Sequence, residues 1–259
     1  MVNVKYQWNT VQNNTFLIRN YPGLTFVTQD RIEGKLKFSA LYDLEKDIIL
    51  INPTANSGNK YYIEDTYSIR IDLPDNPQYQ IPIIYETEGR ILAAGRKHGI
   101  SDLRDLHVYK DSGSVCLCPQ PQLIERILTG KSKNLQLLLD ELVIPYFYQQ
   151  SFFERYGHWP IKNYSHDYPA IFEYYFREKN KNGNFNRKLL DSCIISLKSL
   201  AKGESYKYLE LLTEPTIIIK STSKCFCGSG RKYKKCHRRK FTKEAKEGFI
   251  SFMNDLRNK

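Results

Sequence analysis

The chain has 259 residues, 41% hydrophobic and 26% charged, enough to bury a core as one large domain or as a medium domain with a smaller one. No run of 18 apolar residues occurs, which argues against a membrane span, and the opening MVNVKYQWNTVQNN lacks the charged-then-apolar pattern of a secretory leader. A cytoplasmic protein is therefore expected, its six cysteines serving as thiols or metal ligands rather than a disulfide frame, and its net charge of +11 favouring anionic partners.

The first residues are polar. LTFVTQDRIEGKLKFSALYDLEKDIILINP then reads as strands, rich in β-branched and aromatic residues with partial alternation. KYYIEDTYSIRIDLP alternates more cleanly, with Tyr67, Ile69 and Ile71 on one face and Ser68, Arg70 and Asp72 on the other. Pro74, Pro77 and Pro82 cannot donate to a ladder, so they break or edge the sheet before a short strand, IPIIYE. Residues 91–115, with Gly95, Gly99 and Gly113, read as loop.

Helical spacing takes over after that. PQLIERILTG is a short helix ending at Gly130. KNLQLLLDELVIPYFYQQSFFERYG places Leu135, Leu138, Leu139 and Leu142 at helical spacing, and Pro145 should kink or restart it. A turn in HWPIKNYSH precedes a helix beginning near Pro169. FNRKLLDSCIISLKSLAKG sets Leu189, Cys193, Ile194 and Leu197 on one side, with Cys193 as core packing. KYLELLTEPTIIIKSTSK leads into a basic tail, and FTKEAKEGFISFMNDLRNK is a terminal amphipathic helix striped by Ala245, Phe249, Phe252 and Leu256. Strands first and helices after argue an α+β class.

The tail carries Lys220, Lys224, Arg231, Lys232, Lys234, Lys235, Arg238, Arg239, Lys240 and Lys243 with no acid among them. Such a run is either a solvated face or a surface for an acidic protein or nucleic acid. Only Phe226 and Tyr233 interleave with these charges, so base-stacking platforms are sparse and nucleic-acid binding would be weak. Within the run, Cys225, Cys227, Cys236 and His237 form C-x-C-x8-C-H. Three thiolates and an imidazole suit tetrahedral zinc, and Gly228, Ser229 and Gly230 give the tight turn after the first pair. The stretch has few apolar residues, so a metal would contribute much of its folding energy. CFCGSGRKYKKCH resembles the SEC-C motif, found at the end of the bacterial translocation ATPase and appended to other proteins. That resemblance implies one structural Zn2+ and a protein-docking role, without catalysis.

A second cysteine pair lies in VYKDSGSVCLCPQPQ. Cys116 and Cys118 are open to several readings: packing, a redox pair, a metal site completed by His98 and His107, or a nucleophile. The order of segments around them resembles the ubiquitin-conjugating (UBC) fold, in the bacterial branch found in antiphage operons. IDLPDNPQYQIPIIYE and ETEGRI match its Pro-rich strand region. LHVYKDSGSVCL matches its His-to-cysteine stretch, and RYGHWPIKNYSHDYPAIFEYY its C-terminal part. The likeness implies an antiparallel meander with flanking helices over residues 1–178, and a helical extension over 179–219. The zinc module and terminal helix would occupy 220–259, with the boundary between 205 and 220. It also implies a thioester on Cys116, which follows the Gly turn and precedes a Leu, with Cys118 a bystander.

One departure from that pattern bears on chemistry. His107-Val108-Tyr109 stands where the eukaryotic family has His-Pro-Asn, nine residues before Cys116, so no Asn amide serves the oxyanion. Backbone N–H groups or Tyr109 would substitute. His107 is structural or an acid/base, His166 is a further candidate base or bonds locally, His158 is expected to bond locally, and Trp159 to pack. No Gly-rich phosphate loop is present, so activation comes from elsewhere or the protein captures an acyl group without it. By the same resemblance, the protein is a transferase of short type II cyclic-oligonucleotide antiphage (CBASS) operons. Its substrate is the C-terminus of a cGAS-like nucleotidyltransferase. The alternative is an inactive UBC-like scaffold whose zinc module recruits a partner.

Overall fold

The computed structural model describes residues 5–54, 59–161, 164–183, 186–200, 222, 225, 231–236 and 241–258. The class is α+β: one antiparallel sheet with flanking helices. Contacts divide the chain into two compact units, Met1–Cys118 with Thr129–Asn163, and Pro119–Leu128 with Tyr164–Lys259. The sequence reading groups residues 164–178 with the sheet. By contacts they pack instead with the C-terminal segments.

In the first unit, β1 (Leu24–Phe26), β2 (Arg31–Asp43), β3 (Ile48–Ile51), β4 (Tyr62–Asp72) and β5 (Ile83–Glu86) form the sheet. The long β2 is central. One edge pairs with β4 from Arg31 opposite Asp72 to Leu41 opposite Tyr62; the other takes β1 near its start and β3 near its end. β5 pairs with the far edge of β4, Ile84 opposite Ile71. Alternation decides the buried face: Ile32, Leu36, Phe38, Ala40 and Tyr42 on β2, and Ile63, Tyr67, Ile69 and Ile71 on β4, are buried. The Pro-rich stretch is the β4–β5 connection, where the Pro74 carbonyl accepts from Trp8 Nε1 at 2.8 Å and the Pro77 carbonyl from the Ser132 hydroxyl at 2.6 Å.

Two helices of this unit are not foreseen by the sequence reading. The first, α1 (Val11–Asn20), is capped by the Thr10 hydroxyl, which accepts from the Asn13 N–H. It buries only Leu17, so the apolar stripe that announces a helix is missing. The second, α2 (Arg90–Lys97), falls in the segment read as loop. Its Gly95 serves packing rather than a turn: a Cβ there would lie 2.4 Å from Leu106 Cδ1. Arg90 fastens α2 by ion pairs to Asp65 of β4 and to Glu154, both at 2.7 Å, while its guanidinium sits 4.3 Å from the Tyr67 ring centre.

A long helical segment backs the sheet. It runs as α4 (Leu135–Leu138), a π turn (Leu139–Val143) and α5 (Ile144–Tyr156). Pro145 lies in the first turn of α5, directly after the widened turn. A proline ring cannot accept the regular i→i−4 register, and the π turn absorbs the mismatch, so the helix restarts as expected.

In the second unit, α6 (Tyr168–Asn182), α7 (Arg187–Leu200) and α8 (Lys243–Arg257) surround one core, and α3 (Gln120–Leu128) packs on α7. Cys193 is fully buried there, as expected of packing. α8 is capped by the Thr242 hydroxyl, and its Ala245, Phe252 and Met253 are buried. The buried Glu173 carboxylate accepts from the Ser165 N–H at 2.6 Å and hydroxyl at 2.8 Å, and from the Thr242 hydroxyl. It thereby joins the start of α6 to the cap of α8.

Candidate thiol site and the C-terminal cysteine module

Residues 108–115 form a short hairpin. Val108 bridges Val115, the Tyr109 N–H donates to the Ser114 carbonyl at 2.8 Å, and the Gly113 N–H donates to the Tyr109 carbonyl at 2.8 Å. Within the turn, the Ser112 and Ser114 hydroxyls lie 2.7 Å apart. The returning limb is fixed to the sheet by the Val115 N–H, which donates to the Ile84 carbonyl of β5 at 2.9 Å. The Cys116 N–H donates to the His107 carbonyl at 2.7 Å. This register makes Tyr109 the diagonal neighbour of Cys116 across the hairpin, so the two side chains share a face.

Burial drives the Cys116 thiol above its ordinary pKa, while hydrogen bonds from the Tyr109 phenol and the Cys118 backbone pull it down. The Tyr109 phenol is raised in turn, first by burial and then by the neighbouring sulfur. The Cys116 sulfur also lies 3.8 Å from the Cys118 carbonyl oxygen, and neither cysteine is in a disulfide. Cys116 is therefore a partly shielded thiol that shares a hairpin face with Tyr109. Its own N–H is committed to His107, which removes one backbone donor from the oxyanion candidates.

His107 acts on this site through its backbone. It adopts a left-handed conformation, φ 54°, at the end of the 3-10 turn Leu103–Leu106, so its carbonyl faces the Cys116 N–H. Its ring packs edge-on against Trp159, 5.6 Å between centres, and Trp159 stacks on Phe153 at 4.6 Å. Two α5 residues that the sequence reading passes over hold this corner. The buried Tyr146 hydroxyl donates toward the His107 carbonyl at 3.2 Å and the Leu106 carbonyl at 3.3 Å, and Gln150 Nε2 donates to the Leu106 carbonyl at 2.8 Å. Their signal was available: a Tyr and a Gln four apart on an apolar helix share a face and need polar partners inside the core.

The other histidines have local roles. His98 Nε2 lies 3.0 Å from the Glu154 carbonyl, and its ring meets Phe153 edge-on. His158 Nδ1 lies 3.3 Å from the Trp159 carbonyl, the local bond expected of it, its ring meets Phe152 edge-on, and Trp159 packs as expected. His166 lies in the second unit, in the segment before α6, whereas Cys116, His107 and Tyr109 lie in the first. No group of three or more His, Cys, Asp or Glu side chains among the described residues is placed to hold a metal.

Of the tail cysteines, Cys225 and Cys236 are described; Cys227 and His237 lie outside the described residues, as do Gly228, Ser229 and Gly230. The Cys225 N–H donates to the Arg231 carbonyl at 2.7 Å. Cys236 ends the 3-10 turn Tyr233–Lys235, its N–H donating to the Tyr233 carbonyl at 3.1 Å. Cys225 is fully buried and Cys236 half-buried against the same core, beside Tyr233, Phe241 and Phe252. Two thiols brought together at the edge of an aromatic core fit half of a tetrahedral thiolate–imidazole set.

Searches of the curated proteins and of the solved structures each found no match to the chain. A comparison with protein families identifies residues 222–239 as a SEC-C motif, in agreement with the pattern of its cysteines.

Proposed function

We propose that the first unit is a ubiquitin-conjugating-like transferase that carries an acyl group as a thioester on Cys116. The observation that supports this best is the hairpin register, which fixes Cys116 to β5 and sets Tyr109 diagonally beside it on the same face. The antiparallel sheet and flanking helices agree with the UBC-like expectation at the level of class. In the first step the Cys116 sulfur attacks an activated C-terminal carbonyl supplied by a separate activating enzyme. A C–S bond forms, the activating group leaves with its electron pair, and solvent base takes the thiol proton. In the second step a lysine amine attacks the thioester. A C–N bond forms, the C–S bond breaks, and the sulfur departs as a thiolate that the Tyr109 O–H stabilises. With the Cys116 N–H already used, Tyr109 is the side-chain donor left beside the reacting carbon.

The acyl donor on this reading is the C-terminus of a cGAS-like nucleotidyltransferase in a cytoplasmic antiphage system. The second unit would hold one structural zinc through Cys225, Cys227, Cys236 and His237. Bound there, the ion supplies folding energy rather than chemistry. A second reading, an inactive scaffold, is favoured by the raised thiol and the committed Cys116 N–H. Mixing the protein with the nucleotidyltransferase and its activating enzyme separates them. A reductant-sensitive adduct lost with Cys116→Ala and kept with Cys118→Ala supports the transferase. Tight binding without any adduct supports the scaffold.

A further inference from the structure

We infer that the basic turn of the C-terminal module is a binding surface for the phosphodiester backbone of duplex nucleic acid. The inference is independent of the thioester reading. In the 3-10 turn, Tyr233 is turned into the core, 7% exposed, and this fixes the facing of its neighbours. Arg231, Lys232, Lys234 and Lys235 are all exposed, and none is in an ion pair among the described residues. The nearest described tail cation, Lys243, is also exposed, with only a 3.9 Å contact to Glu247. Four exposed cations between Arg231 and Lys235 form a concentrated positive field.

The chemistry of the patch selects among anionic partners. Protein interfaces depend on buried aromatic or aliphatic anchors at their centre. Here the local aromatics, Tyr233 and Phe241, are spent on the unit's own core. The same burial removes the stacking faces that single strands use and the apolar wedge that a membrane surface takes. Among the described residues, what is left on this turn is charge without an exposed aromatic ring. That matches a surface of regularly spaced phosphates, read without base contacts.

The test is fluorescence anisotropy of the full-length protein, metal-replete as purified, with a labelled random duplex of about 30 base pairs, from about 50 to 200 mM salt. Binding should fall with a log–log slope steeper than about −3, since each phosphate neutralised contributes about −0.9. The triple variant Lys232→Gln, Lys234→Gln, Lys235→Gln should weaken binding at least about ten-fold and flatten the slope by roughly 0.9 per lysine. A matched triple in the first unit, Lys35→Gln, Lys46→Gln, Lys110→Gln, removes the same charge elsewhere and should leave affinity within about two-fold. Circular dichroism confirms that both variants fold. Absence of binding, equal loss in the two triples, or tighter binding to polyglutamate or phosphatidylserine vesicles than to the duplex overturns the inference.

Discussion

The two units hold their cysteines in opposite ways. Cys116 rides on a hairpin at the margin of a sheet whose core of Ile32, Leu36, Ile69, Ile71 and Phe147 is complete without it. Cys225 is itself a core residue, fully buried beside Tyr233 and Phe241. The thiol at the first position lies outside that core. At the second, any change reaches the packing. The contrast also answers a question the sequence leaves open: the cysteine module packs into one cluster with α6, α7 and α8 rather than standing apart from them.

The sharpest way to break this comparison is to remove each thiol in turn. On the zinc reading, Cys225→Ser should release the ion and melt the second unit, because binding energy at a site of this kind is folding energy, roughly 10 kcal/mol in isolated zinc modules. Metal content by a colorimetric chelator and helical signal by circular dichroism should fall together. Cys116→Ala should change the melting temperature by no more than about 2 °C, as a small change at a margin does. Equal effects of the two substitutions would abolish the distinction.

Gly248→Ala probes the same core by sterics. A Cβ there would lie 1.9 Å from the Phe172 carbonyl oxygen, so α6 and α8 would have to separate along their backbones. A cost of about 2–4 kcal/mol is expected by chemical denaturation. Alkaline pH probes the first unit. Burial raises the phenols of Tyr67 and Tyr146, and Tyr42 is pushed up to about 12 by burial and its bond to Asp47. A raised native pKa means that the folded state keeps protons the unfolded chain loses. This stability is complete below the ordinary tyrosine range and is lost as pH rises through and above it, by about 1.4 kcal/mol per group per unit. Urea titrations should show stability steady to about pH 9 and falling beyond.

Two smaller effects sharpen the thiol site. Tyr146→Phe removes the hydroxyl held by the Leu106 and His107 carbonyls and should cost about 1 kcal/mol. Tyr109→Phe removes the phenol that lowers the Cys116 thiol, so less thiolate is present at any pH. Alkylation by iodoacetamide at pH 8 should slow about five-fold, the weight of roughly 1 kcal/mol at a half-exposed hydroxyl. An unchanged alkylation rate would remove Tyr109 from the site.

Much of this was legible in the chain. Period-two burial announced β2 and β4, helical stripes announced α7 and α8, a proline marked the start of α6, and the cysteine spacing announced the SEC-C motif. The misses have physical causes. α1 buries one side chain, and α2 carries Gly95 for close packing against Leu106, a residue type that otherwise signals a loop. The Tyr109–Cys116 pairing depended on hairpin register, which a seven-residue separation alone does not fix. Tyr146 and Gln150 approached the site from a helix some thirty residues further along, a long-range contact that no local pattern carries.

The central claim is that Cys116 is an acyl carrier. Intact-mass spectrometry of the protein after incubation with the nucleotidyltransferase and its activating enzyme tests it directly. The account predicts an adduct cleaved by thiol reductant and hydroxylamine, absent from Cys116→Ala, present in Cys118→Ala, and converted to a reductant-stable ester by Cys116→Ser. An adduct that survives Cys116→Ala, or no adduct while the two proteins remain tightly bound, would contradict it.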